Sequence, residues 1–207
     1  IDVAAGTYDI GKEQLLIAKG ITLKGIGETK PVIRGTAYDV GSYTEPMLKT
    51  TANNTAGQET LIENLSFEWV FEDGFVLKGN GNAAMLAGNN VTVRNCEFKG
   101  INIPDTQYAA IVSIGQTGGS VGPNTDAYKI IFENNKVYGT VCIVRSAQGK
   151  ILDAEIVDNI IDPVNMEGIW TYVLSADDIL TITGNTITGI PEGFTAIKLM
   201  EKIASVN

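Results

Sequence analysis

The chain has 207 residues, 44% of them hydrophobic but only 7% aromatic, so it can bury a sizeable core and that core must be aliphatic. A net charge of −9 argues against nucleic acid, whose phosphates need a Lys/Arg surface, and the absence of histidine excludes imidazole triads and His-ligated zinc. No apolar run is long enough to span a membrane, and 23 glycines beside many Asn and Thr point to turns rather than long helices.

In chain order, the opening residues 1–35 give short apolar stretches, "AAGTY", "LLIAKGITLKG" and "PVIRG", separated by glycine. From residue 60 onward one pattern repeats: TLIENLSF (60–67), VTVRNCEF (91–98), KIIFENNKV (129–137), LDAEIVDNII (152–161) and LTITGNTI (180–187). Each is a strand of alternating apolar and polar residues, a two-residue corner, and a second strand. Leu65, Cys96, Asn135, Asn159 and Asn185 are equivalent in this alignment. Two residues later a large apolar side chain always follows (Phe67, Phe98, Val137, Ile161, Ile187), and three residues earlier another precedes (Ile62, Val93, Phe132, Ile156, Ile182). A further strand precedes each unit or closes the series: MLKT (47–50), AAML (83–86), AAIVSI (109–114), TVCIV (140–144), IWTYVL (169–174) and TAIKLM (195–200). We call this strand A, and the strands before and after the corner B and C.

Three short strands per repeat, stacked at the usual strand spacing, predict an all-β parallel β-solenoid of about seven rungs. The sharp B–C corner needs one residue at positive φ, which Gly and Asn tolerate best. An inward asparagine there can bond to its equivalents above and below, giving an internal Asn ladder that Cys96 and Leu65 continue with apolar bulk. Cys96 and Cys142 both lie in strand-like apolar segments and are read as reduced, buried thiols. On the outward side of strand B, Lys24, Glu63, Arg94 and Glu133 form a column of alternating sign, expected to be a structural ladder rather than a basic binding strip.

Three groups of residues invite functional readings. Asp153, Glu155, Asp158 and Asp162, with Asp177 and Asp178 in the next rung, could offer oxygen ligands to calcium; the candidate ligands are Asp153, Glu155, Asp177 and Asp178. Alternation sends Glu155 outward and leaves Asp158 at the corner, so the other reading is solvated charge that discourages edge pairing. Trp69, in "SFEWVFEDGF", would contact a sugar ring if exposed, or else pin an inserted loop to the wall. Trp170 is expected in the core, with Tyr172 near a face.

The opening segments and the repeating B–C units together resemble the right-handed parallel β-helix proteins of the pectin-lyase-like superfamily, along nearly the whole chain. The resemblance implies a substrate groove on the outer face of strand A. "CEFKG" (96–100) before "DTQY" (105–108), and "GTVCIV" (139–144), are similar to two motifs of pectin methylesterases. By that likeness Asp105 would be the acid/base, while the nucleophilic aspartate's position holds Cys142, and the arginine-bearing segment has no counterpart. A polysaccharide lyase would instead need a Lys or Arg base, for which strand A offers Lys198 and Arg145, with calcium beside it; Lys49, Ser113 and Thr171 share that strand, and Lys198 is expected next to Tyr172.

The chain opens at Ile1 and stops at "AIKLMEKIASVN", where another strand B is due. The expectation is therefore one domain over 1–207 that belongs to a longer chain or stacks on neighbours through open ends. The leading functional reading is a non-catalytic extracellular or cell-surface module that binds polysaccharide, with Trp69, Tyr172 and Lys198 as contacts. The alternatives are a calcium-dependent lyase acting on a uronate polymer, and a filament unit stacking end to end.

Overall fold

The computed structural model describes residues 1–17, 20–41, 43–50, 59–78, 82–86, 91–104, 110–115, 127–138, 142–145, 151–172, 177–199 and 205–206. At 43, 82–86, 110, 115, 127–128, 142–145, 172 and 205–206 it describes the backbone alone. Among these residues there is no helix, and all secondary structure is β.

The strands gather into three long parallel sheets. The B sheet has eight: Asp2–Val3, Thr22–Gly25, Thr60–Glu63, Val91–Arg94, Ala127–Glu133, Ile151–Val157, Ile179–Thr183 and Ser205–Val206. The C sheet has seven: Thr7–Gly11, Val32–Thr36, Ser66–Val70, Glu97–Ile101, Lys136–Tyr138, Ile160–Asp162 and Thr186–Ile187. The A sheet has seven: Leu15–Ile17, Leu48–Thr50, Asn82–Leu86, Ala110–Gly115, Cys142–Arg145, Ile169–Tyr172 and Ile197–Lys198. The chain visits B, C and A in turn, and each circuit adds one parallel strand to each sheet. A small antiparallel pair, Asp39–Val40 with Tyr43–Thr44, is inserted in the second circuit.

Alternation decides what each strand buries. In Ile151–Val157, Leu152, Ala154 and Ile156 are fully buried while the residues between them are partly exposed. The inward positions line up from circuit to circuit: Ile62, Val93, Phe132 and Ile156 in the B sheet, and Phe67, Phe98, Val137 and Ile161 in the C sheet. The rings of Phe67 and Phe98 stack at 5.1 Å, and Phe98 lies 5.8 Å from Phe132. The first contact links neighbouring strands of the C sheet and the second joins the C sheet to the B sheet, so both tie successive circuits together.

The B–C corners turn as the repeat predicts, with the left-handed residue just before the aligned column. Asn64, Asn95, Asn134, Asp158 and Gly184 have φ between 53° and 65°. At Gly184 a side chain would also collide with the Asp158 carboxylate, so both backbone and space favour glycine.

The aligned column is bonded, and buried except at Asn185, which is partly exposed. The Asn135 amide oxygen accepts from Cys96 N–H at 2.8 Å, that of Asn159 from Asn135 N–H at 2.8 Å, and that of Asn185 from Asn159 N–H at 2.9 Å. Their amide nitrogens donate to Val93, Phe132 and Ile156 carbonyls at 3.0, 2.9 and 2.7 Å. The expected amide-to-amide contact occurs only between Asn159 and Asn185, at 2.9 Å. Otherwise each asparagine binds the backbone of the preceding circuit, because that circuit's corner N–H and strand C=O lie just where a side-chain amide presents its acceptor and donor.

The outward column also follows register. Lys24 pairs with Glu63, Glu63 with Arg94 and Arg94 with Glu133, and Asp2 extends the series. Lys24 and Arg94 reach Glu63 at 3.6 and 3.5 Å. The C sheet carries a second alternating series that the B-strand alignment does not reveal: Asp9, Arg34, Glu68 and Lys99, with Arg34 2.6 Å from Glu68.

Candidate functional site

The outer face of the A sheet carries a mixed series of apolar and polar residues outside these charge columns. Register aligns Leu16, Lys49, Met85, Ser113, Ile143, Trp170 and Lys198. Their neighbours Leu48, Val112, Ile169 and Thr50, Ile114, Thr171 are fully buried, so the aligned series has outward parity. Thr171 therefore belongs to the interior, not to the outer face. Ser113 has outward parity yet is fully buried, so the middle of this face is covered.

At the end of the series lies a compact cluster. Lys198 Nζ sits 5.8 Å from the centre of the Trp170 ring, within cation–π range, and 3.0 Å from Glu167 Oε1. The Glu167 side chain is only 7% exposed and that of Lys198 49%. A nearly buried carboxylate thus anchors a half-exposed ammonium beside a partly exposed indole. The local chain explains the position of Glu167. Gly168 packs so closely on the next circuit that a Cβ would meet the Ala196 carbonyl at 2.8 Å, and Ile169 N–H bonds to that same carbonyl at 2.9 Å. This close approach sets the residue before Gly168 next to the strand bearing Lys198.

Two aromatic expectations are corrected here. Trp69 is not a sugar contact: it is fully buried, because the strand continues to Val70 and gives Trp69 the inward parity of Phe67. Its indole lies 4.6 Å from the Phe71 ring, and its strand partners are Gly35 and Gly100. A Cβ on Gly100 would meet Ile111 Cδ1 at 2.7 Å, so that position is closed by core side chains as well. Trp170, expected inside, instead has outward parity, between inward Ile169 and Thr171. Lys198 pairs with Trp170, not with Tyr172; Tyr172 pairs with Arg145, the two placed by backbone alone.

The remaining candidates do not converge. Cys142 pairs with Val112 and Ile169 in the A sheet, and Asp105 lies outside the described residues. Asp153 and Glu155 are held by Lys129, at 3.9 and 2.7 Å, and Glu155 raises the Lys129 pKa. Asp177 is exposed, whereas Asp178 is buried and accepts from Leu152 N–H at 2.7 Å. Among the described residues no three carboxylates or thiols come together as a metal site. Cys96 is a free, buried thiol whose pKa burial pushes up to about 12.

Lys198 stands out in the sequence, whereas Glu167 does not, and Trp170, expected in the core, lies on the outer face. The signal for Trp170 was present in "GIWTYV", where strict alternation puts Trp170 opposite Ile169 and Thr171. Comparison with known proteins finds no matching protein family, curated protein or solved structure. Among the described residues no helix is long and apolar enough to cross a membrane.

Proposed function

We propose that this chain is a parallel β-helix module that binds polysaccharide on the outer face of its A sheet, outside the cell or at its surface. What supports the β-helix reading is the strand order, in which each circuit through B, C and A adds a parallel neighbour to every sheet. The sequence resemblance to the pectin-lyase-like superfamily points the same way.

The observation that carries the binding reading is the Trp170–Lys198–Glu167 cluster. An indole supplies a flat apolar face for the C–H side of a sugar ring, and the adjacent ammonium supplies N–H donors for its oxygens. Trp170 and Lys198 are register partners on adjacent strands, which holds their spacing before a ligand arrives and so reduces the entropy cost of binding.

The test is retention on a panel of immobilised polysaccharides by the intact protein and by Trp170→Ala. Binding by the parent and its loss of at least about tenfold in the variant, at unchanged melting temperature, is the expected result. Absence of binding to every polysaccharide would overturn the reading. Release of unsaturated uronate from polygalacturonate, alginate or chondroitin, with or without calcium, would replace it with the lyase alternative.

A further inference from the structure

We infer that the sugar unit recognised at Trp170 and Lys198 is electrically neutral, a hexose or pentose carrying hydroxyls and no carboxylate or sulfate; this rests on the binding function proposed above. The reason is the charge state of the cluster. Lys198 lies 5.8 Å from the ring centre, but Glu167 already balances it at 3.0 Å. An ammonium has three N–H donors. One is spent on Glu167 Oε1, and the others remain on a group that is half exposed. The ion pair therefore offers directional donors with no net charge of its own. A hydroxyl or ring oxygen can accept those donors without displacing anything. A carboxylate gains little there, because it would approach Lys198 only by sharing it with Glu167, with two like charges a few ångströms apart in a partly desolvated place.

Burial makes the arrangement hard to rearrange. The Glu167 side chain is 7% exposed, so swinging away from Lys198 would leave a carboxylate buried without its partner. Lys49, on the same aligned face, is four strands from Trp170, with fully buried Ser113 between them. It cannot serve the same sugar. Arg145 pairs with Tyr172, one strand from Lys198's partner, so Arg145→Gln separates attraction to that arginine from recognition at Lys198.

The experiment compares affinity for neutral polysaccharides (glucan, mannan, galactan, xylan) with affinity for acidic ones (polygalacturonate, alginate, chondroitin sulfate). It uses the intact protein, Glu167→Gln and Arg145→Gln. The expected result is binding to at least one neutral polymer and weaker binding to the acidic ones. Glu167→Gln unmasks the charge of Lys198 and is expected to raise affinity for polygalacturonate on the order of tenfold. Preference of the intact protein for an acidic polymer, abolished by Arg145→Gln, would overturn the inference while leaving the binding function standing. Binding of no polymer at all would overturn both. If Glu167→Gln melts early, the parent's own preference between the two groups still decides.

Discussion

The corner column is filled in two ways along its length. In the earlier circuits it holds Leu65 and Cys96, both fully buried; in the later ones it holds Asn135, Asn159 and Asn185. The C-sheet neighbours differ in step. Beside Leu65 and Cys96 stand Phe67 and Phe98 in a stacked pair, whereas beside the asparagines stand Val137, Ile161 and Ile187. One half of the corner is held by bulk and dispersion, the other by hydrogen bonds that tie each circuit to the one before. The lesson is that a buried slot accepts a polar side chain when the neighbouring circuit offers both a donor and an acceptor. It accepts an apolar one when large rings close the space.

The sharpest way to break this difference is to put the early solution in the late half. Asn159→Leu removes the acceptor of Asn135 N–H and the donor to the Phe132 carbonyl, both buried. Urea denaturation is expected to show a loss of about 2–4 kcal/mol, the cost of two unsatisfied buried groups. A loss under about 0.5 kcal/mol would mean that shape alone fills the slot.

A second test uses the titration of the thiol. Cys96 holds its proton more tightly in the folded chain than in the unfolded one, because burial pushes its pKa up to about 12. Its contribution is therefore complete below the ordinary thiol value and is lost as pH rises from there toward about 12. Each pH unit in that window costs roughly 1.4 kcal/mol. Cys96→Ala should melt at lower temperature at neutral pH yet lose less stability between pH values of about 9 and 11. Equal alkaline slopes in the two proteins would refute a buried, protonated thiol.

The reverse exchange should stabilise. Cys96 Sγ already lies 3.7 Å from the Ile62 carbonyl, the counterpart of the carbonyls that Asn135, Asn159 and Asn185 engage. Cys96→Asn would replace this weak thiol contact with an amide donor and add an acceptor for Leu65 N–H. A gain of about 1 kcal/mol by thermal or urea denaturation is expected. Destabilisation would show that the Phe67–Phe98 neighbourhood has no room for an amide.

The smallest effect concerns the outward charge columns, which belong to the earlier circuits: past Glu133 the B column continues as Val157 and Thr183, and past Lys99 the C column continues as Tyr138. Arg94→Glu places three carboxylates in a row with Glu63 and Glu133. Because these side chains are partly exposed, a loss of about 0.5–1 kcal/mol is expected at low salt, shrinking as salt is added. A salt-independent loss would point to packing of the Arg94 stem rather than its charge.

Much of this was written in the sequence. The five aligned corners, the inward columns on either side and the alternating charges on strand B follow from local spacing, because period-two alternation and a two-residue turn fix parity without long-range information. So does the left-handed residue before each corner, which is Asn, Asp or Gly every time from residue 60 onward. Tertiary structure decided what local spacing leaves open. Trp69 went inside because its strand ran on past Phe67, and Gly35 and Gly100 flank it from circuits far away in sequence. Trp170 and Lys198 became neighbours because the length of chain between two A strands set their register, and Glu167 joined them only through the close approach of Gly168 to Ala196. Alternation tells which residues share a face of one strand; which residues of different circuits meet there depends on how much chain the intervening loops take up, and that is settled only when the sheets assemble.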